Sequence, residues 1–489
     1  MISRFNTIIG SLCISFIVIS SLYIWSPQYN SSALELNPGN AEQVSVNGQT
    51  DRRPVQVAPS TRAKQTEAII SKASKVAPIS APYKDKFGEL GRLTRSARKW
   101  VQFLDGAPSS ENTKALEEAI NGAIANLFPF ISNSPKHATS QTPFSDLRNG
   151  IEPGSRGFVI PTGKSTMRYA AHLVSSVQHV LSTHLPIMIV YAGDQDFPPA
   201  DRDRFQAHFT EVEFLDILTV VDDATLRLGD GGWAIKAFAA LYAPYEQVIL
   251  ADADCVFAQS PELLFEDPSY VETGALLFHD RLLWQHAFQD RHKWWQSQIT
   301  HPSAALNQSL VWTQDYAEEG DSGVVVLDKS RLDVLMGLLH IAWQNTKAVR
   351  DEVTYQLTYG DKESWWFGLE LSHAKYAFEK HYGAMVGWPR PEPGKEDKEK
   401  VCSFYIAHVD VKDALFWYNG GLLMNKRVDS KKYGVPTHLM IDGQWHKGNR
   451  DEHSCMDGVK ALDLPEDTIR QLNRSVELAK ELDNDLNLG

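Results

Sequence analysis

At 489 residues with 43% apolar content, the chain is long enough for one large domain or two ordinary ones and apolar enough for a sizeable core, so a disordered protein is excluded. Its formal net charge of −13 offers no general attraction for nucleic-acid phosphates, and no nucleic-acid partner is expected. Only four cysteines occur, with no CxxC pair, which excludes a disulfide framework and argues against structural zinc.

Residues 8–25 carry no charge and as a helix would span roughly 27 Å, close to a bilayer core. Arg4 precedes this run and Tyr23 and Trp25 close it, so a transmembrane signal anchor is expected, with residues 1–7 as a cytosolic tail and the rest lumenal. A cleaved signal peptide is the alternative, but Trp25-Ser26-Pro27 is a poor cleavage site. The acceptors Asn30, Asn307 and Asn473, each in N-x-S, are compatible with a secretory route. Residues 26–85 are polar and rich in Ser, Asn, Gln, Ala and Pro, as a flexible stem would be. Residues 86–150 read as a helical extension, in which Ala115, Leu116, Ala119, Ile120, Ile124 and Leu127 keep close to a 3.6-residue period.

From 151 to 489 one large domain is expected. Strands at 157–161, 185–192, 212–218 and 247–251 alternate with helices at 167–181 and 233–241. That order predicts an α/β fold with a largely parallel sheet. Further strands are expected at 275–278, 323–328 and 403–408, with a helix at 332–342.

The apolar run Val248–Ala251 ends in Asp252-Ala253-Asp254. In open α/β sheets ligands sit outside the carboxyl ends of strands, and paired carboxylates there suit Mn²⁺ or Mg²⁺ carrying a diphosphate. The triplets ending at Asp196, Asp203 and Asp485 have the same DxD form but lie in polar stretches and read as solvated surface. Asp252-x-Asp254-x-Val256 also fits phosphatases of the haloacid dehalogenase type, though these carry the motif near the start of their domain.

Around this motif stand Trp233, Lys236, Pro261, Leu264-Phe265, Gly274, Asp280-Arg281, Asp321-Ser322-Gly323, Gly360-Asp361-Lys362-Glu363, His408 and Asn419-Gly420. In order and spacing these blocks, from about Gly157 to Leu422, resemble the fungal Golgi α-1,3-mannosyltransferases and, more distantly, the glycogenin-like retaining transferases. Asp321 stands where Glu is common in that family, and Trp365-Trp366 where mixed aromatics are expected. The resemblance implies a GT-A-like nucleotide-diphospho-sugar transferase fold over 151–489. It also implies a Golgi type II membrane enzyme that moves mannose from GDP-mannose to glycoprotein glycans. A UDP-hexose donor and a non-catalytic glycan-binding protein of the same fold remain as alternatives.

Under this reading Asp252, Asp254 and His408 hold Mn²⁺ or Mg²⁺, His408 otherwise being a core or surface histidine. Lys236, Asp252, Asp254, Asp280, Arg281, Gly323, Asn419 and Gly420 bind the donor, while Asp321, Asp361 and Lys236 serve catalysis. Lys236 is otherwise a solvated helix lysine, Asp280-Arg281 a structural ion pair, Asp321 part of a turn, and Trp365 and Trp366 either sugar platforms or core. Cys402 and Cys455 are candidates for a disulfide in an oxidising lumen, a pairing that sequence does not establish.

Overall fold

The computed structural model describes residues 59–108, 111–135, 139–390, 400–449 and 451–488. The expected tail at 1–7, the anchor at 8–25 and the stem as far as residue 58 lie outside them. Among the described residues no helix is long and apolar enough to cross a membrane.

The first four strands are β1 (Glu152–Pro161), β2 (Ile187–Tyr191), β3 (Glu213–Asp216) and β4 (Tyr245–Ala251). After a three-residue strand β5 (Cys255–Phe257) come β6 (Ala275–His279), β7 (Gly320–Asp328) and β8 (Ala377–Phe378). Seven of them make one sheet in the order β3-β2-β1-β4-β7-β6-β8. The half from β3 to β4 is parallel, but β7 runs antiparallel to both β4 and β6. The sheet is thus mixed where a largely parallel one is expected, because the apolar run Val324–Leu327 reads alike in both directions.

Side chains alternate across the sheet, so each strand feeds two cores. Val248 and Leu250 join Val325 and Leu327 beneath helices Phe87–Asp105, Glu111–Leu127, Ile235–Tyr242, Leu332–Gln344 and Lys362–Leu371. Ile249 and Ala251 join Val324 and Val326 on the other face, under helix Met167–His179 and the end of helix Glu466–Asp485. The helices expected at 86–150 therefore share the core of the sheet.

The stem expectation fails from Pro59 onward. Helix Pro59–Ala73 sets Ile69 and Ile70 against the first core, and Val76, Ile79 and Tyr83 continue the contact. These apolar positions are too few among Lys, Ser and Ala to announce themselves as a period.

Beyond the main sheet the chain forms β9 (Met385–Pro389), β10 (Val401–Ser403), β11 (Ile406–Val409), β12 (Leu415–Asn419), β13 (Leu423–Asn425) and β14 (Asp429–Tyr433). It continues through β15 (His438–Met440), β16 (Gln444–His446), β17 (Ser454–Asp457) and β18 (Leu462–Asp463). The strand expected at 403–408 is really two strands, β10 and β11, in different sheets. A six-stranded antiparallel sheet has the order β16-β17-β10-β9-β15-β18, and Cys402 of β10 is disulfide-bonded to Cys455, its register partner on β17. A three-stranded sheet, β11-β12-β5, matters most for function, since β5 directly follows Asp254 and pairs Cys255 with Asn419.

Candidate active site

β4 stops at Ala251 because the next side chain carries a charge that a dry sheet interior would not tolerate unpaired. The turn Asp252–Asp254 is held by its backbone on both sides. Asp252 N donates to Gly323 O at 2.7 Å, and Gly420 N donates to Asp254 O at 3.1 Å. Strand ends from two sheets thus fix one acidic corner.

Each carboxylate of the corner has its own lysine. The Lys236 ammonium lies 2.9 Å from Asp252 Oδ1 and 3.3 Å from Asp361 Oδ2, and donates to Ser322 O at 2.6 Å and Ser322 Oγ at 2.9 Å. Lys426, in the turn between β13 and β14, forms an ion pair with Asp254. Burial alone would lower the pKa of Lys236, but Asp252 and Asp361 hold it above its ordinary value. Burial and the nearby Asp254 and Asp361 carboxylates push Asp252 up to about 7, against the pull of Lys236.

Two cavities meet at this corner. One of about 540 Å³ extends past Arg281, Trp284, Tyr359, Trp445 and Lys447. The other, about 400 Å³, follows the chain after β1 from Pro161 to Thr166 and passes Asp196 and Gly229. Trp233, Lys236, Asp252, Asp254 and Lys426 line both.

Asp321, Asp361, Arg281, Asn419 and Gly420 line the larger cavity, as do Asp252, Asp254 and Lys236. Asp321 is pinned, accepting from Gly323 N at 2.9 Å through Oδ1, with His408 Nε2 3.2 Å from Oδ2. Although burial would raise it, His408 and Lys362 hold the Asp321 carboxyl below its usual range. Asp361 accepts from Trp365 Nε1 at 2.8 Å as well as facing Lys236.

Other expected residues fall elsewhere. His408 is buried, stacked on Trp417 at 4.2 Å, with Nδ1 3.7 Å from Glu379 Oε2. Its contacts are with Asp321 and Glu379, which raise its pKa against the opposing effect of burial, rather than with the Asp252–Asp254 pair. Among the described residues no group of three or more His, Cys, Asp or Glu is arranged to hold a metal ion by itself. Gly323 lies inside β7 beneath Asn419 and Trp417, where an added Cβ would come within 2.9 Å of Asn419 Nδ2, and it lines neither cavity. Asp280 is a buried counter-ion to Arg281 and Lys362, the structural pair that was its alternative. Trp365 and Trp366 are core, Trp366 donating to Glu363 Oε2 at 2.6 Å. Of the triplets read as solvated surface, Asp201 is buried against Arg204 and Asp483 is buried in a network of its own.

Lys426, Arg427 and Lys447 also line the larger cavity, and sequence reasoning missed them. The available signal was Lys426-Arg427, a basic pair in an acidic chain a few residues after Asn419-Gly420-Gly421. Burial and the charges of Arg281 and Lys362 pull Lys447 down to about 8.

A strand-end acidic corner countered by lysines, between two cavities on an α/β sheet, has the concave form and convergent polar groups of a ligand site. The chain belongs to the family described as "Mannosyltransferase putative", whose sequence profile matches residues 155–410. It is 29% identical to the alpha-1,3-mannosyltransferase MNT3 of Saccharomyces cerevisiae over 55% of this chain and 46% of that protein. It is 25% identical to the putative alpha-1,3-mannosyltransferase MNN15 of Candida albicans over 64% and 50%, and 23% identical to MNN1 of S. cerevisiae over 54% and 40%. The chain spans about half the length of these curated relatives. Among solved structures, a galactosyltransferase LgtC complex aligns with a TM-score of 0.31 at 14% identity, over 46% of this chain and 73% of that one. A likeness that slight carries no argument.

Proposed function

We propose that the protein is a metal-dependent retaining glycosyltransferase of GT-A-like fold that moves mannose from GDP-mannose to a mannose hydroxyl of protein-linked glycans in α-1,3 linkage. It would act in the Golgi lumen as a single-pass type II membrane protein. Family membership and the names of the relatives support the sugar and the linkage. The observation that carries the reading is the Asp252–Asp254 corner, with a lysine on each carboxylate, standing where two cavities meet.

The corner fits a divalent cation, because two hard carboxylates opening on a cavity leave the remaining ligand positions to phosphate and water. Asp252 and Asp254 would hold Mn²⁺ or Mg²⁺, whose positive charge would help a diphosphate depart. The protein's own groups do the rest. Lys236 has four oxygens around its ammonium and no free valence for phosphate, so it orients Asp252 and Asp361 rather than touching the donor. Lys426, Arg427 and Lys447 put positive charge on the cavity wall where phosphate charge develops. Asp321 and Asp361 present fixed carboxylates to the hydroxyls of the transferred sugar. Retention follows when the acceptor oxygen attacks from the face the diphosphate leaves, and the departing phosphate oxygen takes the acceptor proton.

Turnover of a panel of nucleotide sugars by the purified protein, with Mn²⁺ and with EDTA, tests this reading. GDP-mannose should be consumed with metal and spared without it, and consumption of a UDP-sugar alone would overturn the donor assignment. Asp254→Ala should lower turnover by about 100-fold or more with an unchanged thermal midpoint. Near-normal turnover in that variant would overturn the role of the corner.

A further inference from the structure

We propose that Trp284 and Tyr359, with Trp233 on the same cavity wall, form the platform on which the acceptor saccharide lies; this rests on the glycosyltransferase reading above. Among the described residues, four large aromatic side chains are strongly exposed: Trp233 (48%), Trp284 (49%), Phe288 (42%) and Tyr359 (59%). Three of the four line the same 540 Å³ cavity as Asp252 and Asp254, and the fourth packs edge-on against Trp284 at 6.5 Å. Exposed aromatics gathered at one cavity are the mark of a binding surface and are unusual on open solvent.

The backbone points the same way. Trp284 sits at φ 49°, a left-handed conformation that a bulky residue adopts at a cost, and such strain collects at ligand sites. Trp233 rests on Gly360, where an added Cβ would lie 2.7 Å from its ring, and it tilts at 47° to Tyr359 with centroids 5.3 Å apart. The two rings are not stacked on each other, which leaves a face of each for another flat apolar surface.

A pyranose is such a surface, with C–H groups on its face and hydroxyls around its rim. The same lining supplies neutral and acidic partners for hydroxyls in Asn425, Asn449 and Glu452. Of the two readings of Trp365 and Trp366, sugar platform or core, the core one holds, so the platform falls to aromatics from other loops.

A nucleobase would also stack on such rings, so the test must separate donor from acceptor. Initial rates are measured with GDP-mannose and a mannose-terminated oligosaccharide, each varied in turn, for wild type, Trp284→Ala, Trp284→Phe and Tyr359→Ala. Donor hydrolysis without acceptor is followed in parallel. We expect the acceptor KM to rise about tenfold in each alanine variant, with Trp284→Phe recovering most of it. Donor KM and acceptor-free hydrolysis should stay within about twofold of wild type. An unchanged acceptor KM, or a donor KM that rises equally, overturns the platform.

Should the wild type consume no donor, the parent reading fails on its own. Calorimetric titration with the oligosaccharide then still decides, since Trp284→Ala should bind it about tenfold more weakly than wild type, and equal affinities would overturn the platform. Were Trp284→Ala to misfold, Tyr359→Ala carries the same comparison.

Discussion

Two buried lysines show how one residue type takes opposite characters from its surroundings. Lys236 faces two carboxylates and stays charged. Lys329, equally buried, reaches only the carbonyls of Leu241 and Ala243 at the end of helix Ile235–Tyr242, and burial drops its pKa to about 7. An unfolded lysine titrates near 10.4, so between about pH 7 and 10 the unfolded chain binds the extra proton and stability rises with pH. In Lys329→Met that rise should be missing. Thermal or denaturant unfolding at pH 7 and pH 9.5 should show wild type gaining on the order of 2 kcal/mol over the variant across that interval; parallel pH profiles would contradict it.

At the scale of elements, the C-terminal helix Glu466–Asp485 is tied to helix Met167–His179 by Asp483. Its carboxylate accepts from Arg168 Nε at 2.9 Å, lies 2.8 Å from His172 Nε2 and takes the Tyr433 hydroxyl. Burial would raise its pKa, but the hydrogen bonds from His172, Arg168 and Tyr433 lower it to about 2. The folded value lies below the unfolded one, so this contribution is present above about pH 4 and is lost as pH falls through 2. Asp483→Asn should destabilise the protein by about 3 kcal/mol at pH 7, with the deficit shrinking in acid; a deficit constant from pH 7 to pH 2.5 would count against it.

Asp483 also shows where sequence reading runs out. The strand ending at Ala251 was legible because Val248–Ala251 is an unbroken apolar run before two charges, and α/β alternation was legible from period and length. Asp483 lay in a polar helical stretch, and the groups that bury it, Arg168 and Tyr433, are 315 and 50 residues away. His408 meets the same limit, since an apolar strand end does not say which carboxylates its side chain will face, here Asp321 and Glu379. Lys426 emerged only when β12 folded back on β5 and carried the following turn to Asp254.

For the whole molecule, the antiparallel sheet that forms one wall of the larger cavity is closed by Cys402–Cys455, bonded across 53 residues of sequence. Residues bordering the two bonded strands, Phe404, Tyr405 and Ser454, line that cavity. A loop of this size carries about 2–4 kcal/mol in a disulfide. Cys402→Ser with Cys455→Ser should therefore lower the denaturant midpoint by a corresponding amount, measured against wild type under oxidising conditions, and equal midpoints would deny the bond a stabilising role.

The ladder between β4 and β7 has a consequence of a different kind. It pairs Ala251 with Val324 and passes directly into the bond from Asp252 N to Gly323 O, so the acidic corner and the Asp321–Ser322 step are one register apart. Sliding either strand by a single residue would exchange the side chains of its two buried faces between the cores and break that alignment at once. Insertions and deletions are therefore barred from 248–254 and 320–327, whereas loops that line neither cavity are freer to change length.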